Sequence, residues 1–338
     1  FFSGGVLRIS DLHLRPGKPA HYRFDGELIP LPGGADLDDD TVQALIKPAL
    51  RDDTLERVQQ GEDVDASWEW PEKDLSFRIN VFRARVGTCA ALRVLARKVP
   101  PPEEIGFPFD STCKEFMAMD QGLVIVTGIT GSGKSTTVSS LLTRRAKERG
   151  ERVITLEDPI EFSFQHNSSL IKQREIGRDT KSFSLGLRQC MRQDPDVIVV
   201  GELRDRESMQ IAMTAAETGH LVISTLHTID APKSVERIMD LFPSDQQVQI
   251  ASQLSNVLEA IICQRLLPRA DTDGRVLATE ALRVNSGIQS SLRKRKIEQV
   301  VGLMEIARQE GCHTIDDCLE TLVAHNYITQ QDAIQNCR

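Results

Sequence analysis

A chain of 338 residues is too long for one small core, so two domains are expected. With 27% charged and 40% hydrophobic residues it reads as a soluble globular protein rather than a disordered or membrane-embedded one. A net charge of −8 gives bulk electrostatics no reason to attract nucleic acid, so no nucleic-acid partner is expected.

The opening "FFSGGVLRIS" has neither the basic n-region nor the apolar length of a secretory signal, and it starts without Met, so the natural start is expected upstream. The first third mixes short alternating runs with turns. "LSFRINVFRARV" (75–86) alternates apolar and polar residues, and "CAALRVLAR" (89–97) can pair with it as a second strand. "DASWEWPEKD" holds both tryptophans, expected to pack a small core. A mixed α+β domain over 1–97 fits this pattern. "KVPPPEEIGFPFD" (98–110) carries prolines that oppose regular helix or central strand, and it reads as a stiff linker, either a hinge or a plain connector. Beyond it, over 111–338, the bursts "LVIVTG", "RVITLE", "DVIVVG" and "LVISTL" are short and β-branched, as parallel strands buried on both faces are. Helical patterns at 134–149, 182–192, 205–217 and 233–241 separate them, which argues an open α/β sheet. From about 286 the pattern is nearly all helical, and the basic "RKRK" at 293–296 reads as a solvated helix face. No apolar run approaches the roughly 20 residues of a membrane helix. The seven cysteines, without a CxxC pair, read as reduced thiols.

"LVIVTGITGSGKSTT" contains G-x4-G-K-[ST] from Gly128 to Ser135, with an apolar strand before it and a helix pattern after it. Gly131 and Gly133 let the backbone turn tightly toward phosphate oxygens. Successive N–H groups and the helix N-terminus then face the anion. Lys134 would reach the β- and γ-phosphates and the Ser135 hydroxyl would ligate Mg²⁺. The nucleotide-binding residues are therefore Gly128, Thr130, Gly131, Ser132, Gly133, Lys134, Ser135 and Thr136.

Mg²⁺ takes oxygen ligands and keeps several waters, so carboxylates are expected nearby. "DPDVIVVGELRD" puts Glu202 at the carboxyl end of a strand, where ligands bind in open α/β sheets. "ITLEDPIEF" also follows a strand and offers Glu157, Asp158 and Glu161. Hydrolysis needs a carboxylate that orients water for in-line attack. From the residues alone, any of these four acids can hold Mg²⁺ or activate water, while one or two only cap turns. "TAAETGHLVISTLHT" places His220 before an apolar strand and His227 at its end. Both are expected at the same edge as the acids, as a γ-phosphate sensor or an interface group.

Together, "GITGSGKST", "TLEDPIEF", "QREIGRDT", "DPDVIVVGELRD" and "TAAETGHLVISTLHT" resemble the Walker A, Asp-box, Walker B and His-box motifs of secretion ATPases. With "SDLHLRPG", "FRINVFRARVG" and "TIDDCLETLV", the resemblance extends over nearly the whole chain. It is closest to the PilT-like retraction ATPases of bacterial type IV pili. It implies a homo-hexameric motor for pilus retraction and twitching motility. Each subunit would pair a smaller α+β PAS-like domain with an α/β RecA-like P-loop ATPase domain, and ATP with Mg²⁺ would bind between them. Glu161 would be the general base, Glu202 the Walker B acid that with Ser135 attends Mg²⁺ directly or through water, and His220 and His227 the His-box pair. Arg85 and Arg93 match arginines that meet the γ-phosphate. The resemblance further implies a cytoplasmic location at the inner membrane, beside the pilus platform protein. "CQRLLPRADTDG" lacks the paired CxxC motifs of assembly relatives, which favours the retraction branch. Gln289 stands where those retraction ATPases usually carry arginine, so a PilU-like accessory of a paralogous motor is the alternative.

Overall fold

Alternation in the first third builds an antiparallel sheet, and the unbroken apolar bursts build a mainly parallel one. The computed structural model describes residues 2–3, 6–7, 9–24, 27–70, 75–95, 99–164 and 168–338. By internal contacts the chain falls into two units: Phe1–Lys98 with Pro159–Ser163, and Val99–Asp158 with Phe164–Arg338. The boundary expected at 97/98 lies outside the described residues.

In the first unit, β1 (Phe2–Ser3) and β2 (Val6–Leu7) form a small ribbon. The main sheet comprises β3 (Ile9–Leu14), β4 (His21–Phe24), β5 (Glu27–Pro30), β6 (Val64–Trp70), β7 (Leu75–Ala84) and β8 (Gly87–Leu95), antiparallel in the order β5-β4-β3-β8-β7-β6. Helices α1 (Asp39–Ile46) and α2 (Thr54–Gln59) supply Val42, Ile46 and Val58 to a core with Phe77, Ile79, Leu92 and Val94. The period-2 pattern thus sends one face of β7 and β8 inward and leaves the other outward. Trp68 stacks on Phe77 with centroids 5.4 Å apart, and Trp70 packs on the same core, as expected of both tryptophans.

The second unit opens with α3 (Pro102–Ile105) and α4 (Asp110–Ala118). The prolines expected to exclude helix admit this short one because Pro102 sits in its first turn, where its missing N–H costs nothing. Then follow β9 (Gly122–Thr127), α5 (Lys134–Glu148), β10 (Arg152–Glu157), β11 (Leu170–Glu175), α6 (Phe183–Cys190), β12 (Val197–Val200), α7 (Arg206–Glu217), β13 (Leu221–Leu226), α8 (Ala231–Asp240) and α9 (Gln247–Val257). The hairpin β14 (Leu258–Pro268) and β15 (Arg275–Arg283) precedes α10 (Ser286–Arg293), α11 (Val300–Ile306), α12 (Ile315–Ala324) and α13 (Gln330–Asn336). Residues expected as a linker are held here: the Ser140 hydroxyl donates to the Pro100 carbonyl at 2.5 Å, and Arg144 pairs with Glu103.

The seven-stranded sheet runs β11-β10-β12-β13-β9-β14-β15, parallel except for the antiparallel hairpin. Its central strands are buried on both faces. Ile125, Leu156 and Ile198 meet a core shared with α6 to α9, while Val124, Val153 and Val197 meet one shared with α4 and α5. Arg145 is 1% exposed and forks onto Glu151 at 2.6 and 2.8 Å, with Nη1 also donating to the Met119 carbonyl at 2.6 Å. This ties α5 to the strand edge; removing one partner from such a buried pair costs about 3–5 kcal/mol. Helix starts are marked by side-chain caps, Ser182 on α6, Asp205 on α7 and Asp230 on α8. Among the described residues, no helix is long and apolar enough to cross a membrane.

Candidate nucleotide site

The carboxyl ends of β9, β10, β12 and β13 lie side by side, because these strands are parallel and neighbouring. The loop from Gly128 to Gly133 leaves β9 there and enters α5. At Gly128, with φ of 149°, a β-carbon would overlap the Gln264 carbonyl and the Ser132 hydroxyl. Gly133 holds φ of 87° as the cap of α5, and no side chain caps that helix N-terminus. Its first-turn N–H groups therefore point into the loop, the arrangement that accepts a phosphate. Lys134 is only 9% exposed, and its ammonium donates to the Gly128 and Ile129 carbonyls at 2.8 and 3.1 Å. Thr130, Gly131 and Ser135 are exposed at the rim, Thr136 is half-buried and Ser132 is buried.

One brace of this loop was not expected from sequence. Gln264 on β14 is 1% exposed, and its Nε2 donates to the Ser132 carbonyl at 2.8 Å and to Thr137 Oγ1 at 3.2 Å. The available signal was an uncharged amide inside the mostly apolar run "AIICQRLL", since a buried amide needs partners.

Glu202 follows β12 by two residues. Its carboxylate pairs with Arg204 at 2.6 Å and lies 3.5 Å from His227 Nε2. Glu157 ends β10 and accepts from the Thr155 hydroxyl at 2.5 Å and from Gln173 at 3.0 Å. Asp158 is exposed just beyond it. Glu161 belongs to the stretch Pro159–Ser163, whose contacts group with the first unit. The three crowded acids therefore divide between the units.

The two histidines do not share an edge. His227 follows the carboxyl end of β13, whereas His220 precedes its amino end. Seven residues of extended chain separate them by roughly 23 Å at ~3.3 Å per residue. At the far edge, His220 Nδ1 lies 3.0 Å from the Ala215 carbonyl and 3.1 Å from Thr218 Oγ1, closing the end of α7. The expectation that both flank the acids is corrected on this point, because a parallel strand carries its two ends to opposite edges.

Arg85 and Arg93 likewise lie apart. Arg85 sits in the exposed two-residue turn between β7 and β8, seven residues from Arg78 and eight from Arg93, or about 23 Å along the strand. Register instead aligns Arg23, Asp11, Arg93 and Arg78 across β4, β3, β8 and β7. This row is on the face away from the core. Arg93 Nε donates to Asp11 at 2.9 Å, and Arg23 lies 3.9 Å from the same carboxyl. Burial alone would raise the Asp11 pKa, but hydrogen bonds from Ser10 and Arg93, with the Arg93 charge, hold it below the usual value. Two guanidiniums at one carboxylate, with Arg78 next in the row, leave a local excess of positive charge suited to an anion.

The residues present fit a nucleotide with Mg²⁺: an uncapped helix N-terminus, a buried ammonium aimed at the loop, and the oxygens of Ser135 and Glu202. Among the described residues, no group of three or more His, Cys, Asp or Glu is placed to hold a metal by itself. A Mg²⁺ ion held largely by phosphates and waters needs no such cage.

A family model described as "Type II/IV secretion system protein" matches residues 9–332. The PilT type IV pilus retraction ATPase of Pseudomonas aeruginosa is 38% identical, over 97% of this chain and 94% of its own length. The PilU type IV pilus ATPase of the same organism is 34% identical, over 96% and 84% respectively. A crystal structure of the pilus retraction motor PilT with bound ADP superposes with a TM-score of 0.89, at 40% identity, covering 97% of this chain and 93% of that one.

Proposed function

This chain belongs to the type II/IV secretion system protein family, and from that premise we propose that it is an ATP-hydrolysing motor for type IV pilus retraction. The single observation that carries the reading is the phosphate loop with Glu202 and His227 at one sheet edge, in a chain that is similar to PilT over 97% of its length.

Lys134 and the α5 N-terminus would bind the phosphates, and Ser135 and Glu202 would hold Mg²⁺. Mg²⁺ supplies charge neutralisation at the phosphates. Glu161 activates the attacking water, and His227 faces the γ-phosphate. The row of Arg23, Arg93 and Arg78, rather than Arg85, supplies positive charge to phosphates bound in a ring of six identical subunits. Such a ring follows from heterologous contacts that close. The motor works in the cytoplasm at the inner membrane, against the pilus platform protein. Deleting the gene in its source cell tests the function. Hyperpiliation with lost twitching is expected, restored by the wild-type chain and not by Lys134→Ala; normal retraction would contradict it. For the base, Glu161→Gln with wild-type turnover would remove Glu161 from that role.

Gln289, half-buried on α10, keeps a second reading in view: a PilU-like partner of a sister motor with little turnover of its own. Steady-state ATPase on the purified protein separates the two, since robust turnover excludes the passive version.

A further inference from the structure

Beyond the pairing of β9 with β13, the strand that feeds the phosphate loop is fastened to the loop that carries His227 through side-chain hydroxyls. Thr127, the last residue of β9, is fully buried. Its hydroxyl lies 2.7 Å from the Thr228 carbonyl and 2.6 Å from Thr228 Oγ1, and it accepts the Thr228 N–H at 3.0 Å. Thr228 Oγ1 in turn lies 2.6 Å from Ser234 Oγ, and the Ser234 hydroxyl donates to the Asp230 carbonyl at 2.7 Å. Three hydroxyl protons serve these four contacts: Ser234 donates to Asp230, Thr228 to Ser234, and Thr127 to either the carbonyl or the hydroxyl oxygen of Thr228. The first turn of α8 is held as well, by the buried Glu280 carboxylate, which accepts the Ala231 N–H at 2.8 Å and pairs with Arg338.

We propose that Thr228 is a positioning residue for ATP hydrolysis, holding His227 beside the Glu202 carboxylate and in register with the phosphate loop. The reasoning is geometric. His227 is adjacent to Thr228, its side chain is half exposed, and the Glu202 contact of 3.5 Å is too long to hold the ring by itself. Its backbone position therefore depends on its neighbours, and on the carboxyl side that neighbour is Thr228. The Glu202 side of the contact is already fixed, since the Thr225 hydroxyl donates to the Gly201 carbonyl at 2.6 Å and Gly201 N–H donates to the Leu156 carbonyl at 2.8 Å. A reacting group displaced by about 1 Å loses on the order of 100-fold in rate, so a hydroxyl that locks this loop acts on turnover without touching the nucleotide. The proposal rests on the reading of His227 as a γ-phosphate-facing group.

The test is steady-state ATPase and ADP affinity on the full-length Thr228→Val, Thr228→Ser, His227→Ala and Thr228→Val/His227→Ala proteins. Thr228→Val deletes the hydroxyl and keeps both backbone contacts to Thr127. It is expected to lower kcat several-fold, up to the roughly tenfold loss of His227→Ala, while ADP affinity stays within about twofold, and Thr228→Ser is expected to restore kcat. In the His227→Ala background, Thr228→Val is expected to change kcat by less than about twofold, because the two act as one unit. Slow His227→Ala with Thr228→Val at the wild-type rate would overturn the proposal alone. His227→Ala at the wild-type rate would overturn the His227 reading and the proposal with it. Parallel losses of kcat and ADP affinity that serine does not restore would also overturn it, as a general structural role. Ser234→Ala, which removes the acceptor of the Thr228 hydroxyl, gives the same kcat-against-affinity split without altering residue 228, and serves if Thr228→Val folds poorly.

Discussion

The two edges of the seven-stranded sheet are built from the same strands and do different work. At the carboxyl edge, the phosphate loop, Glu202 and His227 converge; the hydroxyls of Thr127 and Thr225 tie neighbouring strand ends together, that of Thr155 holds Glu157, and that of Thr228 meets Ser234. At the amino edge, the turn through Thr218 and His220 closes α7 onto β13 with hydrogen bonds satisfied inside the turn. The difference follows from the peptide unit itself. Parallel strands bring every strand-to-helix turn, and every helix N-terminus that follows one, to a single edge. A histidine at the other end of the same strand belongs to another part of the molecule.

The comparison breaks most visibly at Lys134. Lys134→Ala is expected to lower kcat/KM by about 10²–10³-fold, the cost of one preorganised donor to a phosphate; ATPase assays on the purified protein check it. The arginine row sharpens a parallel contrast in the first unit. Arg78→Gln is expected to lower kcat of the assembled protein by about 10²-fold, whereas Arg85→Gln stays within about twofold. Equal losses at both positions would contradict the register argument. Between the histidines, His227→Ala is expected to slow turnover by about tenfold, while His220→Ala leaves nucleotide affinity within about twofold by isothermal titration. Any effect of His220→Ala on turnover should then depend on protein concentration, as an assembly defect does.

The smallest effect at neutral pH concerns His313. Burial pushes its pKa down to about 4, while the Asp317 carboxylate opposes the shift. Its Nε2 lies 2.9 Å from Thr279 Oγ1, and its ring packs on Phe109 with centroids 4.3 Å apart. The folded protein therefore holds this group neutral, while the unfolded chain binds a proton below about pH 6.5. Stability is fully present above pH 6.5 and is lost as pH falls toward about 4, by roughly 3 kcal/mol in all. Thermal melts from pH 7 to 4 should show a steeper fall for the wild type than for His313→Gln.

Much of this was legible in the chain. The four apolar bursts became β9, β10, β12 and β13 within a residue or so, because strands buried on both faces need unbroken apolar runs. The phosphate loop was legible because its chemistry is local: glycines, a lysine and a serine at fixed spacing. The hairpin of β14 and β15 was not anticipated, although "DTDG" marks its turn, where Gly274 adopts φ of 113°. Contacts between distant stretches were equally hidden. Gln264 reaches Ser132 across 132 positions and Thr228 reaches Thr127 across 101, and neither pairing has a spacing rule. Arg78 joins Arg93 through strand register, which fixes neighbours only once the turn at 85–86 is placed. Hydropathy reports which face of an element is buried, not which residues of two elements end up opposite each other.

The most direct test of the account is the steady-state ATPase of Glu202→Gln, measured together with its affinity for MgADP. The substitution keeps the side chain's size and removes its charge at the carboxyl edge. Turnover lower by about 10²–10³-fold, with nucleotide still bound, is the predicted result. Wild-type turnover would contradict the placement of the hydrolytic site at this edge of the sheet.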